Sequence, residues 1–176
     1  MKYYFHPVGF GFIQLLIVGV IAVLIATGCD TKEETKEADP LEANIKIYSP
    51  VWDEILNKRK IGVFNDNNFS PDIIVHAGAT DIKGIDSVKN YYNNFLTGFT
   101  NIQFTVKDIF GNGDKLVKYW VFKGTHTGLF FGIAATGNSV SIEGTTLVRM
   151  VNGKIAEERD FFDNLEFSRQ LGLIPR

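Results

Sequence analysis

The sequence predicts an α+β domain in which N-terminal helices pack on a strongly curved, mainly antiparallel sheet, giving a cone with an interior pocket. Three observations predict it. Apolar residues recur twice at helical spacing before Phe99, the pattern turns to long strand-like runs from Asn101 onward, and Asn152-Gly153 separates two such runs as a short hairpin signal.

Asp39-Pro40 marks a helix start, an acid at the cap followed by a proline whose missing N–H is tolerated in the first turn. Ile45, Tyr48, Trp52, Ile55 and Leu56 follow at helical spacing, and Pro50 kinks or divides that helix. After a connector with Phe64 and Phe69, Pro71-Asp72 leads into a brief strand, Ile73 to His76, which ends at Gly78. A second amphipathic helix carries Ile85, Val88, Tyr91, Tyr92, Phe95, Leu96 and Phe99, with Gly98 loosening its end. Ile102, Phe104 and Val106 then alternate with polar residues, and Gly111 to Asp114 turns the chain into the apolar run Leu116 to Phe122. Val140 to Val151 and Lys154 to Phe162 flank the Asn-Gly turn.

Ahead of the domain, Met1 to Gly28 reads as an export signal. Lys2 supplies the positive start, and Pro7 to Ala26 contains no acid or base and Gln14 as its one amide. The run closes on Ala26-Thr27-Gly28-Cys29, small residues before the chain's single cysteine. That pattern predicts a bacterial lipoprotein acylated on Cys29, held by its lipid in the cell envelope with the domain outside the cytosol, periplasmic or at the surface. A permanent spanning helix is the alternative, since about 20 apolar residues can cross a bilayer. No basic cluster follows to stop transfer. Residues 29–40 are a polar, acid-rich tether, and 41–176 form one domain.

Lys2 is the one Lys, Arg, Asp or Glu in residues 1–28, so their removal takes the formal charge from -2 to -3. So small a charge argues against a nucleic-acid partner. No His or Cys grouping has metal-ligand spacing, and no cofactor is expected. Fifteen Phe, six Tyr and two Trp suit an apolar pocket or a dimer face.

Four segments carry a family resemblance: Gly124-Thr125-His126-Thr127-Gly128, Gly132-Ile133-Ala134-Ala135-Thr136-Gly137, Gly153 to Asp160, and Gln170-Leu171-Gly172. Their order and spacing resemble the SnoaL-like polyketide cyclases, an ester cyclase family of the nuclear transport factor 2-like superfamily, over Leu41 to Arg176. Ala135 departs from the family's usual proline before Thr-Gly. The resemblance implies the cone fold and an intramolecular aldol reaction that needs neither metal nor cofactor. It places Asp160 as general base and His76 as a cavity residue, and so a donor to substrate oxygen. A homodimer through the outer sheet face is expected on the same ground.

Such chemistry asks for a carboxylate whose basicity rises in an apolar cavity and a donor for the enolate oxygen. Strand parity puts Glu158, Asp160 and Phe162 on one face, so the two acids would line the pocket together and share or shift a proton. For Asp160 the alternative is a cap or a pairing with Arg149 or Arg159; for His76 it is a surface strand end. Trp120 belongs to the pocket wall on the same strand face as His126, whose turn also allows it to bond backbone carbonyls of the next loop. Gly132 and Gly137 border a loop that is a lid or a packed connector. The expected ligand is a small apolar molecule containing a carbonyl. An exported protein does not meet the polyketides of the cytosol, so a non-catalytic binding module for a small ligand or a protein stands as the second reading.

Overall fold

A computed structural model describes residues 39–78 and 80–175. The expected export signal, Cys29 and most of the expected tether lie outside the described residues. Helix α1 (Pro40–Tyr48) starts where Asp39 accepts a hydrogen bond from the Leu41 N–H and Pro40 takes the first position. Pro50 does divide the helical stretch: α1 stops at Tyr48, and a π-helical turn, Asp53–Asn57, continues the apolar stripe. That stripe buries Tyr48, Val51, Trp52, Ile55 and Leu56.

Strand β1 (Phe69–Ala77) is longer than the sequence indicated and runs through Pro71. The register between β1 and its neighbour is broken between Phe69 and Ile74, which accommodates a residue with no N–H to donate. Strand β2 (Thr80–Lys83) folds back on β1. Helix α2 (Ile85–Gly98) follows Gly84, whose φ of 83° turns the chain into it, and buries Val88, Tyr92 and Leu96.

Two hairpins joined by a longer loop make up the rest: β3 (Phe99–Asn112) with β4 (Lys115–His126), and β5 (Ser139–Val151) with β6 (Lys154–Phe162). Asn152 and Gly153 both have positive φ, 50° and 71°, as the tight β5–β6 turn requires. The six strands form one curled, unclosed sheet in the order β2-β1-β6-β5-β4-β3, all pairs antiparallel except β1 with β6. A C-terminal helix, α3 (Asn164–Leu171), packs back on β5, so helices do not come from the N-terminal half alone. Its cap is Asp163, which accepts from the Glu166 N–H.

The core lies between the helical layer and the inner face of the sheet. Along β4 the buried residues alternate strictly, Leu116, Lys118, Trp120, Phe122, Gly124 and His126, while the opposite face is only partly covered. The cross-strand register then fixes which inner residues are neighbours. Leu116, Val148 and Glu158 form one row; Lys118, Thr146 and Asp160 the next; Trp120, Gly144 and Phe162 the third.

Candidate functional site

The curled sheet and the helices form an aromatic cavity, open on one side, walled by Trp52, Tyr92, Phe104, Trp120 and Phe162. Two charged side chains reach it, Asp160 and Lys118. An outer cleft lined by His76, Arg159 and Phe131 adjoins it and shares Tyr91, Asp160 and Phe162 with the inner space. Asp160 therefore stands at the boundary between the two.

The sheet register explains how Asp160 is held. Thr146 lies directly opposite it on β5 and donates its hydroxyl to Oδ1 at 2.5 Å. The Thr146 oxygen in turn accepts from the Trp120 indole N–H at 2.9 Å. From α2, the Tyr92 hydroxyl donates to Oδ2 at 3.1 Å. Both donors are neutral. The arginines near it in sequence are engaged or directed elsewhere: Arg149 bonds Glu157 at 3.0 Å, and Arg159 is exposed on the other face of β6. Burial, then the Asp160 charge, pushes the Tyr92 phenol well above its ordinary value, which keeps that hydroxyl a donor.

Glu158 shares the inward face with Asp160 but has its own surroundings. It is fully buried, one row away, and accepts from Tyr48 Oη at 2.6 Å and Trp52 Nε1 at 3.2 Å through Oε1, while Oε2 has no partner among the described residues. Burial is the main reason its carboxyl is pushed up to about 7; nearby Asp160 raises it further, and Lys118 and the two hydrogen bonds oppose the rise. Lys118 is 2% exposed. Burial holds its ammonium below the ordinary 10.5, offset in part by Glu158 and Asp160.

His76 is not part of this arrangement. It lies beside Arg159 in the parallel β1–β6 ladder, so the parity that sends Glu158 and Asp160 inward sends His76 to the opposite face. Its ring is held between Asp81 Oδ1 at 2.7 Å and Glu157 Oε1 at 2.9 Å. A ring held this way has no nitrogen left for a substrate oxygen in the cavity. The role of donor opposite Asp160 is therefore corrected.

His126 is corrected too. It is fully buried outside the cavity, with Phe99 and Phe130 rings 5.3 and 6.0 Å away. Its Nδ1 lies 3.1 Å from the Thr136 hydroxyl and accepts the Thr136 N–H at 3.3 Å, so the contacts are to Thr136 donors, not to backbone carbonyls. The loop it anchors is a packed connector at its base: His126 N–H donates to Asn138 O and Gly137 N–H to His126 O, each at 2.9 Å. Phe130 is buried there, whereas Phe131 leans on Tyr91 with ring centroids 5.1 Å apart, at the outer cleft.

Trp120 and Phe162 line the cavity and Glu158 lies behind its wall; Tyr92, Thr146 and Lys118 had no role assigned from sequence. Lys118 carried a signal, a charge on the same strand face as Leu116, Trp120 and Phe122. Tyr92 and Thr146 carried none, because their roles arise from helix docking and register.

The family model for SnoaL-like polyketide cyclases matches residues 47–171. The chain belongs to this family. Two relatives, the aklanonic acid methyl ester cyclases DnrD of Streptomyces peucetius and DauD of Streptomyces sp. (strain C5), are each 47% identical to it over 49 residues. Those matches cover 28% of this chain and 34% and 30% of the relatives, about a third of their length. Among solved structures, a SnoaL-like protein of Jannaschia sp. CCS1 aligns with a TM-score of 0.68 at 21% identity, covering 77% of this chain and 95% of that one. TsrD of Streptomyces laurentii aligns at 0.67 and 23% identity over 75% and 97%. An NTF2-like protein of Burkholderia pseudomallei K96243 aligns at 0.61 and 16% over 73% and 97%. These likenesses show the fold: this SnoaL-like chain has the nuclear transport factor 2-like architecture.

Proposed function

We propose that this SnoaL-like domain is a cofactor-independent cyclase or isomerase acting on a small apolar molecule that contains carbonyls, with Asp160 as its base. The observation that carries the reading is the placement of the Asp160 carboxylate on the wall of an aromatic cavity, held by two neutral hydroxyls and free of any ion pair among the described residues. A carboxylate so placed faces a carbon acid that enters the cavity, at the reach a general base needs. It would take the proton from a carbon flanked by carbonyls, leaving the electron pair as an enolate. The enolate carbon then attacks a second carbonyl of the same molecule and closes a ring, or takes a proton back elsewhere and isomerises.

Family membership and the stretch shared with the aklanonic acid methyl ester cyclases support this class of reaction. The proposal includes the lipid tether: Cys29 acylated, the polar segment after it as spacer, and the cavity outside the cytosol near a membrane, where apolar ligands concentrate. Loss of labelled fatty acid from the Cys29→Ala chain in growing bacteria, with wild type labelled, checks that part.

The reaction is tested with a linear aryl β-keto ester bearing a distal ketone, incubated with the full chain in detergent. Chromatography with mass detection should show a ring-closed isomer, or its dehydration product, formed faster than in buffer. A ligand that binds and is returned unchanged would favour the second reading, a non-catalytic binding module.

A further inference from the structure

One row of the inner sheet face carries three polar residues in register on adjacent strands, Lys118, Thr146 and Asp160. Thr146 is spent on Asp160 and on the Trp120 indole. Lys118 is not spent. Its ammonium sits over the Trp52 ring, 4.1 Å from the centroid, and 5.4 Å from the rings of Tyr48 and Phe104. Among the described residues it makes no hydrogen bond and no ion pair, although the side chain is 2% exposed and lines the cavity.

Burying an ammonium without an acceptor is costly. Ring faces offset part of that, but they accept no N–H in the strong sense of an oxygen. Glu158 and Asp160 stabilise the charge from a distance. The three N–H donors thus face the cavity with no acceptor among the described residues. An acceptor has to come from whatever enters the cavity.

We infer that Lys118 is the anion receptor of this cavity, binding the oxygen that becomes negative when Asp160 removes a proton from the ligand. The inference rests on the reading of Asp160 as base and keeps its ligand, a carbon acid of the 1,3-dicarbonyl type. Its C–H is presented to β6 and a carbonyl oxygen to β4. The two end Cα atoms of the row are two strand spacings apart, about 10 Å, and both side chains project into the space between. Charge is conserved within the cavity, because Asp160 becomes neutral as the enolate forms beside Lys118. The placement is the oxyanion-stabilising kind, a donor fixed before the charge develops. No covalent bond to the amine is involved.

The probe is 5-phenylcyclohexane-1,3-dione, an apolar carbon acid that gives up its proton readily, with 3-phenylcyclohexanone as the neutral comparator. Calorimetric titration of the full chain in detergent at neutral pH reads both. Wild type should bind the dione at least about tenfold more tightly than the ketone, and Lys118→Arg should keep the preference. Lys118→Met should lose it while still binding the ketone; Lys118→Gln serves if the methionine variant does not fold. Asp160→Asn should bind the dione as tightly as wild type or more so, because it removes a like charge, even though it abolishes turnover. Equal dione affinity in wild type and a folded Met or Gln variant would overturn the inference, as would borohydride trapping of the ketone on Lys118. A dione preference that depends on Lys118 in a protein that forms no ring product supports the receptor and counts against the catalytic reading alone.

Discussion

Tyr48 donates its phenol hydrogen to Glu158 at 2.6 Å, joining the last turn of α1 to the final strand across 110 positions of sequence. The same hydroxyl accepts from the Trp52 indole at 3.1 Å, and that indole also reaches Glu158. The helical layer is therefore bonded to the sheet at a buried acid behind the cavity. Tyr48→Phe leaves that carboxyl short of a donor and is expected to lower unfolding stability by about 1–3 kcal/mol. Chemical denaturation reads it. A change inside about 0.5 kcal/mol would mean that the bond contributes little.

Glu158 also makes stability depend on pH. Its folded value of about 7 lies above the ordinary 4.5, so between the two the native state holds more protons than the unfolded chain. Stability from this group is complete below the lower value, falls as pH rises through the window, and does not fall further above about 7. The total is on the order of 3 kcal/mol. Glu158→Gln should remove this component of the slope between pH 4.5 and 7 and be more stable than wild type at pH 8. A variant with an unchanged pH profile would show that Glu158 titrates alike in the folded and unfolded chain.

Gly144 shapes the cavity by what it lacks. A Cβ there would lie 2.6 Å from Trp120 Cζ2 and 2.5 Å from the Phe161 carbonyl oxygen. Gly144→Ala must push the indole toward the cavity or shift β6, and overpacking of this kind costs about 1–3 kcal/mol. Weaker binding of apolar ligands should accompany the lost stability. Ligand titration and thermal unfolding on one sample check both, and unchanged affinity would place the ligand away from Trp120.

Two acids three residues apart separate structure from chemistry. Asp163, not Asp160, caps α3. Asp163→Ala should cost about 0.5–2 kcal/mol of stability and leave turnover within about twofold of wild type once folded. Asp160→Asn should keep the fold and lose turnover. Melting curves beside product assays distinguish them, and the reverse pattern would make Asp160 structural.

Much of this was legible in the chain. The Asp39-Pro40 start, the break at Pro50, the Asn152-Gly153 hairpin and the shared face of Glu158 and Asp160 all follow from local rules of capping, ring geometry and strand parity. Strand β2 was hidden because Thr80 to Lys83 is too short to show a period, and α3 because eight residues give barely two turns. The face occupied by His76 was not readable at all. It depends on a parallel pairing of β1 with β6 and on a register break between Phe69 and Ile74, both tertiary facts. Lys118 was visible as a charge within an apolar run, yet its lack of an acceptor becomes apparent only when the aromatic rings close over it.

Deuterium uptake at the acidic carbon of an aryl β-keto ester, followed by proton NMR in heavy water, tests proton removal by Asp160 most directly. The full wild-type chain should accelerate the exchange over buffer, and Asp160→Asn, folded to the same melting temperature, should lose about 10²–10⁴-fold of that acceleration. Equal exchange in wild type and Asp160→Asn, or no acceleration by a wild-type protein that binds the ester, would contradict it.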